Sequence, residues 1–96
     1  MLLITGLGNP EAKYAKNRHN IGFMAIDALA RHFAFPAYRE KFHGLVSDGL
    51  INNTKVLLLK PQTFMNRSGV SVAEAAAFYK LSGDQIIVFY DELDLP

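Results

Sequence analysis

Val56-Leu57-Leu58-Leu59, followed by Lys60 and Pro61, decides the fold. Four apolar residues in a row, with no polar alternation, predict a strand covered on both faces, as in a sheet with helices on either side. Working outward, Lys55 to Leu59 reads as this strand and Leu45 to Ile51 as another just before it. Asn52-Asn53 between them suits a tight hairpin, because asparagine tolerates left-handed backbone angles. Asp48-Gly49 is a second turn candidate. Farther out, Leu2-Leu3-Ile4-Thr5 reads as a short buried strand stopped by Gly6 and Gly8. Gln85 to Tyr90, with Ile86-Ile87-Val88-Phe89 inside it, is a third unalternating run.

Two stretches between these runs change period. From Ile21 to about Phe33 the apolar residues recur at helical spacing. Ile21, Met24, Ala25, Ala28 and Leu29 line one face, which Phe23, Ile26, Ala30 and Phe33 widen. Gly22, Asp27 and Arg31 leave a narrow polar stripe. Asn20 is an N-cap candidate for this helix, and Pro36 closes the segment. A second helix is predicted from about Val70 to Lys80, with Ser71 and Glu74 at capping-box spacing, Ser68 as an alternative cap and Gly83 as a stop. The order strand, helix, two strands, helix, strand predicts an α/β fold, a three-layer αβα arrangement around a mixed, mostly parallel central sheet. Four strands and two helices make a thin sheet, so residues 1–96 are expected to be the front part of one longer domain, truncated at the C-terminus.

Composition narrows the function classes. The chain has 96 residues, half of them hydrophobic and a fifth charged, with a formal charge of +1. This is a globular composition, and its near-neutral charge neither demands nor excludes a nucleic-acid partner. There is no cysteine, which removes disulfides and thiolate metal sites. No apolar run approaches the ~20 residues of a membrane span, and Met1 to Thr5 lacks the basic lead of a signal peptide. A cytoplasmic protein that binds no membrane is expected.

The polar residues that carry chemistry sit where these elements end. Asn17-Arg18-His19-Asn20 immediately precedes the first helix, and Gly6-Leu7-Gly8-Asn9-Pro10 follows the first strand. Asp91-Glu92-Leu93-Asp94 follows the last strand, and Gln62, Thr63 and Asn66 follow the central one. In open α/β sheets, ligands bind beyond the carboxyl ends of the strands. His19 stands just outside the positive end of a helix, which favours a neutral imidazole fit to act as a general base. Asp91, with Glu92 and Asp94 as rivals, is suited to hold that imidazole in one tautomer. Asn9 and Asn66 offer amide donors and acceptors that hold a peptide-like group or an oxyanion.

No Gly-x-Ser-x-Gly elbow signals a serine nucleophile, so the implied attack is by a water that the histidine deprotonates. His32 and His43 lack comparable polar company and are expected to be structural. Gly6-x-Gly8 is half of a dinucleotide fingerprint, but Glu11 occupies the third glycine position and Pro10 interrupts the helix, which argues against a nucleotide cofactor. Lys13, Lys16 and Arg18 lie near Tyr14, a pattern suited to phosphates and a stacked base.

These residues resemble a known family. Gly6-Leu7-Gly8-Asn9-Pro10, Tyr14 and Asn17-Arg18-His19-Asn20-Ile21-Gly22 are similar to the opening signature of bacterial peptidyl-tRNA hydrolases. Lys60-Pro61-Gln62-Thr63-Phe64-Met65-Asn66-Arg67-Ser68-Gly69 resembles the second signature, and Asp91-Glu92-Leu93-Asp94-Leu95-Pro96 the third. The resemblance implies hydrolysis of the ester between a peptide and the terminal ribose of tRNA, which recycles peptidyl-tRNA released from stalled ribosomes. It implies no metal or cofactor, and a monomer whose partner is the acceptor end of peptidyl-tRNA with its attached peptide. His19 matches the catalytic base and Asp91 the acid that orients it. Asn9 and Asn66 match the amides around the scissile bond, and Tyr14, Phe64 and Met65 match residues lining the same groove. Glu11 and Asn17 depart from the glycine and threonine of many members. Family members are also longer, which leaves a catalytically weak tRNA- or peptide-binding module as the alternative.

Overall fold

β1 (Leu2–Gly6) runs between β4 (Thr54–Pro61) and β5 (Ile86–Phe89), parallel to both, in the computed structural model of the chain. The structure describes residues 1–7, 21–62 and 68–89. The other two strands, β2 (Arg39–Lys41) and β3 (Gly44–Ile51), extend the sheet to the order β2-β3-β4-β1-β5. β3 is antiparallel to both β2 and β4, so it alone runs against the other strands. The mixed, mostly parallel sheet expected from the element order is therefore present.

The unalternating strands do what their composition predicts. Leu3 stands opposite Leu57 and Ile4 opposite Leu58, and successive residues point to opposite faces. On one face, Leu3, Val46, Leu57 and Leu59 pack with Ala75 of helix α2 (Ser68–Tyr79). On the other, Ile4, Val56 and Leu58 pack with Ile26 of helix α1 (Ile21–His32). Leu3, Leu57, Leu58 and Leu59 are fully buried. Each such side chain contributes about 1.5–3 kcal/mol of hydrophobic stabilisation. A strand with leucine on both faces can bury all of them only between two helical layers, which explains the three-layer arrangement.

Local chemistry sets the boundaries. Asn52 and Asn53 both take positive φ (50° and 67°) in the two-residue turn between β3 and β4, as the dipeptide predicts. Both helices end in the same way. Ala34 and Lys80 adopt left-handed angles, and the amides of Phe35 and Leu81 reach back to the carbonyls of Ala30 and Ala76 at 2.9 and 2.8 Å. These are Schellman closures built without glycine. Gly83, expected to stop α2, instead opens a short 3₁₀ turn, Gly83–Gln85. From it Gln85 Nε2 donates to the Met1 carbonyl at 3.1 Å, tying the entry of β5 to that of β1.

Four further expectations are corrected. Asp48-Gly49 is not a turn but lies within β3, facing Leu57 and Val56. A Cβ on Gly49 would stand 3.1 Å from the Phe35 ring, so this glycine makes room for an aromatic. β2 was not expected, since Arg39-Glu40-Lys41 carries no apolar residue; it is a charged edge strand. Ser71 is no cap, since it lies fully buried inside α2. The buried face of α1 runs through Gly22 and Ile26, whereas Met24 is 57% exposed. A helix that is apolar nearly all round does not reveal its inner face by periodicity. Among the described residues, no helix is long and apolar enough to cross a membrane.

Gly22 meets the sheet backbone directly. A Cβ there would come within 2.7 Å of the Leu7 nitrogen and 2.8 Å of the Phe89 carbonyl oxygen. Backbone atoms cannot yield as a side-chain tip can, so Gly22→Ala should cost at least about 2 kcal/mol, measured as a lowered denaturation midpoint. Unchanged stability would refute this close approach. At the opposite edge, Arg39 Nη1 donates to Asp48 Oδ1 at 2.8 Å between two half-exposed side chains. This hydrogen bond, aided by the guanidinium charge and opposed by partial burial, holds the Asp48 carboxyl below the usual carboxylate range. A lowered folded-state pKa means that the pair stabilises the fold above the ordinary aspartate pKa of about 3.9 and loses that effect as pH falls through the folded value. Asp48→Asn should therefore lower the melting temperature slightly at neutral pH, with the difference shrinking as pH falls below the ordinary aspartate value.

Candidate active site

Three parallel strands finish on one rim of the sheet, and the three signature segments continue from there. β1 ends at Gly6, opposite Phe89 at the end of β5. The Leu7 amide then donates to the Phe89 carbonyl at 2.9 Å. β4 runs on to Pro61 beside them, and its exit is held by the Gln62 amide donating to the His43 carbonyl at 3.0 Å. The first turn of α1 lies on the same rim, since Gly22 packs on Leu7 and Phe89. Gly6 answers it: a Cβ on Gly6 would stand 2.6 Å from both the Gly22 carbonyl carbon and Ile26 Cγ1. Two facing glycines thus let the helix start against the strand ends.

His19, Asp91, Asn9, Tyr14, Phe64, Met65 and Asn66 all lie outside the described residues, as do Lys13, Lys16, Arg18 and the N-cap candidate Asn20. What the structure brings together is their flanks. Ile21 follows His19 by two positions and Phe89 precedes Asp91 by two, and the helix beginning at Ile21 rests on the Phe89 carbonyl through Gly22. Leu7, which precedes Asn9 by two positions, is hydrogen-bonded to the same carbonyl.

The described side chains of the rim are engaged structurally. Lys60, which opens the second signature, is only 14% exposed. Its Nζ donates to Asp27 Oδ1 at 2.8 Å and lies 4.2 Å above the Tyr38 ring. The Tyr38 hydroxyl donates to the same carboxylate oxygen at 2.8 Å. Burial first, then the hydrogen bond to and the charge of Asp27, push the Tyr38 phenol well above its ordinary pKa, so it stays protonated and donating. Lys60 is therefore a brace between β4 and α1. Inside the sheet, the buried Thr5 hydroxyl donates to the Leu59 carbonyl at 3.0 Å.

A further rim element went unrecognised in the sequence. The turn from β2 to β3 consists of Phe42 and His43, with φ of 58° and 56°. Such angles cost an ordinary side chain about 1–2 kcal/mol each. The strain is held by the neighbouring helix. Ser71 Oγ donates to the Phe42 carbonyl at 2.6 Å, and His43 Nδ1 meets Glu74 Oε1 at 2.7 Å. The Phe42 ring stacks edge-on against Phe78 and Tyr79, and Lys41 Nζ sits 4.2 Å from the Phe78 ring centre. A groove lined by Glu40, Lys41, His43, Gly44 and Gln62 opens beside this turn. The expectation that His43 is structural agrees with its carboxylate partner. Ser71-x-x-Glu74 has capping-box spacing, but its side chains reach across to this turn instead of capping their own helix.

Comparison with known proteins agrees with this arrangement. The peptidyl-tRNA hydrolase family model matches residues 3–96. A peptidyl-tRNA hydrolase from Bartonella bacilliformis is 62% identical over the whole chain, which covers 50% of that protein. One from Rhizobium rhizogenes is 60% identical, again over the whole chain, and 40% of its length is covered. A crystal structure of peptidyl-tRNA hydrolase from Acinetobacter baumannii superposes with a TM-score of 0.91 at 43% identity, covering 99% of this chain and 49% of that one. The chain thus spans about half the length of the relatives it matches. By family model, relatives and fold alike, it belongs to the peptidyl-tRNA hydrolase family.

Proposed function

We propose that the protein carrying this chain hydrolyses the ester between a peptide and the terminal ribose of tRNA. The observation that carries this reading is the shared rim. The segments bearing the three family signatures leave β1, β4 and β5 side by side, and α1 starts against the same strand ends. His19 serves as the base. Its neutral imidazole takes a proton from water as the water oxygen attacks the ester carbonyl carbon. Asp91 accepts the other ring N–H, fixing the tautomer and stabilising the imidazolium that forms. Asn9 and Asn66 hold the peptide-like group around the scissile bond through their amide donors and acceptors. The bond from the carbonyl carbon to the ribose oxygen then breaks. The departing ribose oxygen takes the proton from the His19 imidazolium, leaving tRNA and a peptide carboxylic acid that loses its remaining proton to solvent.

Tyr14, Phe64 and Met65 line the groove around this ester, and Lys13, Lys16 and Arg18 lie along the chain near the tRNA phosphates. The acceptor end of peptidyl-tRNA and its attached peptide are the substrate in this reading. Supporting it are the family membership of the chain and the hydrogen bond that joins Leu7 to Phe89 at the rim.

The test is release of peptide from peptidyl-tRNA by the natural-length protein. His19→Ala should lower turnover by about 10²–10⁴-fold with an unchanged melting temperature, the range that general-base assistance contributes. Asp91→Asn should lower kcat as well, because an amide in that position favours the wrong tautomer. Full turnover by His19→Ala would overturn the assignment of the base. Saturable tRNA binding without peptide release by the wild type would overturn the hydrolase reading in favour of a binding module.

A further inference from the structure

We propose that His43, Glu74 and Ser71 are positioning residues for substrate binding, bracketing both ends of the 63–67 segment through the strained β2–β3 turn. The inference rests on the hydrolase reading, which gives Phe64, Met65 and Asn66 of that segment their substrate contacts. Three contacts build the bracket. On the strand side, the Gln62 amide donates to the His43 carbonyl at 3.0 Å, just before the segment begins. On the helix side, Ser71 Oγ in the first turn of α2 donates to the Phe42 carbonyl at 2.6 Å. One turn further along α2, Glu74 Oε1 meets His43 Nδ1 at 2.7 Å. The same two-residue turn therefore holds both the exit of β4 and the entry of α2.

The backbone around the turn leaves little slack. A Cβ on Gly44 would stand 2.7 Å from the Lys60 carbonyl oxygen, so the turn lies directly on the end of β4. Phe42 and His43 hold left-handed angles without being glycine or asparagine. Backbone strain of this kind persists where surrounding contacts over-determine it, and it clusters at functional sites. The turn also has an independent anchor, since Phe42 packs on Phe78 and Tyr79 while Lys41 covers Phe78. Losing the exposed His43–Glu74 contact should therefore loosen the turn without unfolding it.

The bracket is separate from the support of the proposed base and acid. The segments bearing His19 and Asp91 adjoin α1 and β5, which are held by the Gly6, Gly22, Leu7 and Phe89 contacts. Disturbing the β2–β3 turn should thus weaken substrate binding more than chemistry. An interaction felt equally by bound substrate and transition state appears in KM and leaves kcat nearly unchanged.

The experiment compares wild type, Glu74→Ala, Glu74→Gln and His43→Gly in the natural-length protein, using peptidyl-tRNA as substrate. Glu74→Ala and His43→Gly should each raise KM by about fivefold, the scale of one lost hydrogen bond, with kcat within about twofold of wild type. Hydrogen exchange at the Gln62 amide should quicken in both. Glu74→Gln, whose amide oxygen still accepts from Nδ1–H, should restore KM and exchange to near wild type. His43→Gly should at the same time keep or raise the melting temperature, because glycine suits the left-handed angle. An active wild type with unaltered KM in Glu74→Ala overturns the bracket alone. So does a fall in kcat without a change in KM or in Gln62 exchange. A wild type that releases no peptide overturns the hydrolase reading and the substrate role with it.

Discussion

The arrangement of this protein depends on one steric fact: the backbone of α1 touches the backbone of β1 at Gly6 and Gly22. Helix and strand axes normally stay apart by the thickness of their side chains, close to 10 Å for packed layers. Here two hydrogens replace two side chains, and the first turn of the helix comes down onto Leu7 and the Phe89 carbonyl. The positive end of the helix is thereby delivered to the rim where β1, β4 and β5 finish. The start of a helix carries a partial positive charge, which this approach sets at the rim. The glycines therefore do more than leave space, since the approach that seats the helix also places its N-terminus at the strand ends.

Much of the fold was legible because its central feature was extreme. Val56-Leu57-Leu58-Leu59 admits few arrangements other than a strand between two helical layers, and Asn52-Asn53 matches the tight turn that joins β3 to β4. What escaped has specific causes. Arg39-Glu40-Lys41 became a strand because β3 offered an unpaired edge, and nothing in three charged residues announces that. Gly49 read as a turn residue when its purpose was space for Phe35. Gly22 read as part of a polar stripe for the same reason: a glycine that accommodates a neighbour looks like any other until the neighbour is known. Of the candidate site, the sequence places polar residue types at element ends and the family signatures suggest the proposed substrate, while His19, Asp91, Asn9 and Asn66 themselves lie outside the described residues. The Phe42-His43 turn was not legible, because left-handed angles at phenylalanine and histidine are imposed by tertiary contacts rather than by local preference.

The two halves of the rim are supported in different ways. Near β1 and β5 the support is steric and apolar: glycine against backbone, with Ile26 packed behind it. Such contacts vary little with pH or salt and fail only by overpacking. Near β4 the support is polar: Lys60 and Tyr38 converge on Asp27, and Ser71 and Glu74 hold the β2–β3 turn. Hydrogen-bonded braces of this kind fix orientation more sharply than apolar contacts, because their strength depends on angle as well as distance.

That division suits the proposed ester hydrolysis by a side-chain base. Proton transfer tolerates little error in where the base stands, and the backbone-to-backbone glycine contact adjoins the segments that carry the proposed base and acid. Substrate recognition by amides and aromatic surfaces asks instead for correct orientation over a longer stretch of ligand. The exposed, polar bracket beside the 63–67 segment can supply that while still being adjustable by substitution at His43 or Glu74, both of which face solvent. In the proposed reading, substitution at the β4 side of the rim therefore tunes affinity while the glycine contact between α1 and β1 stays intact.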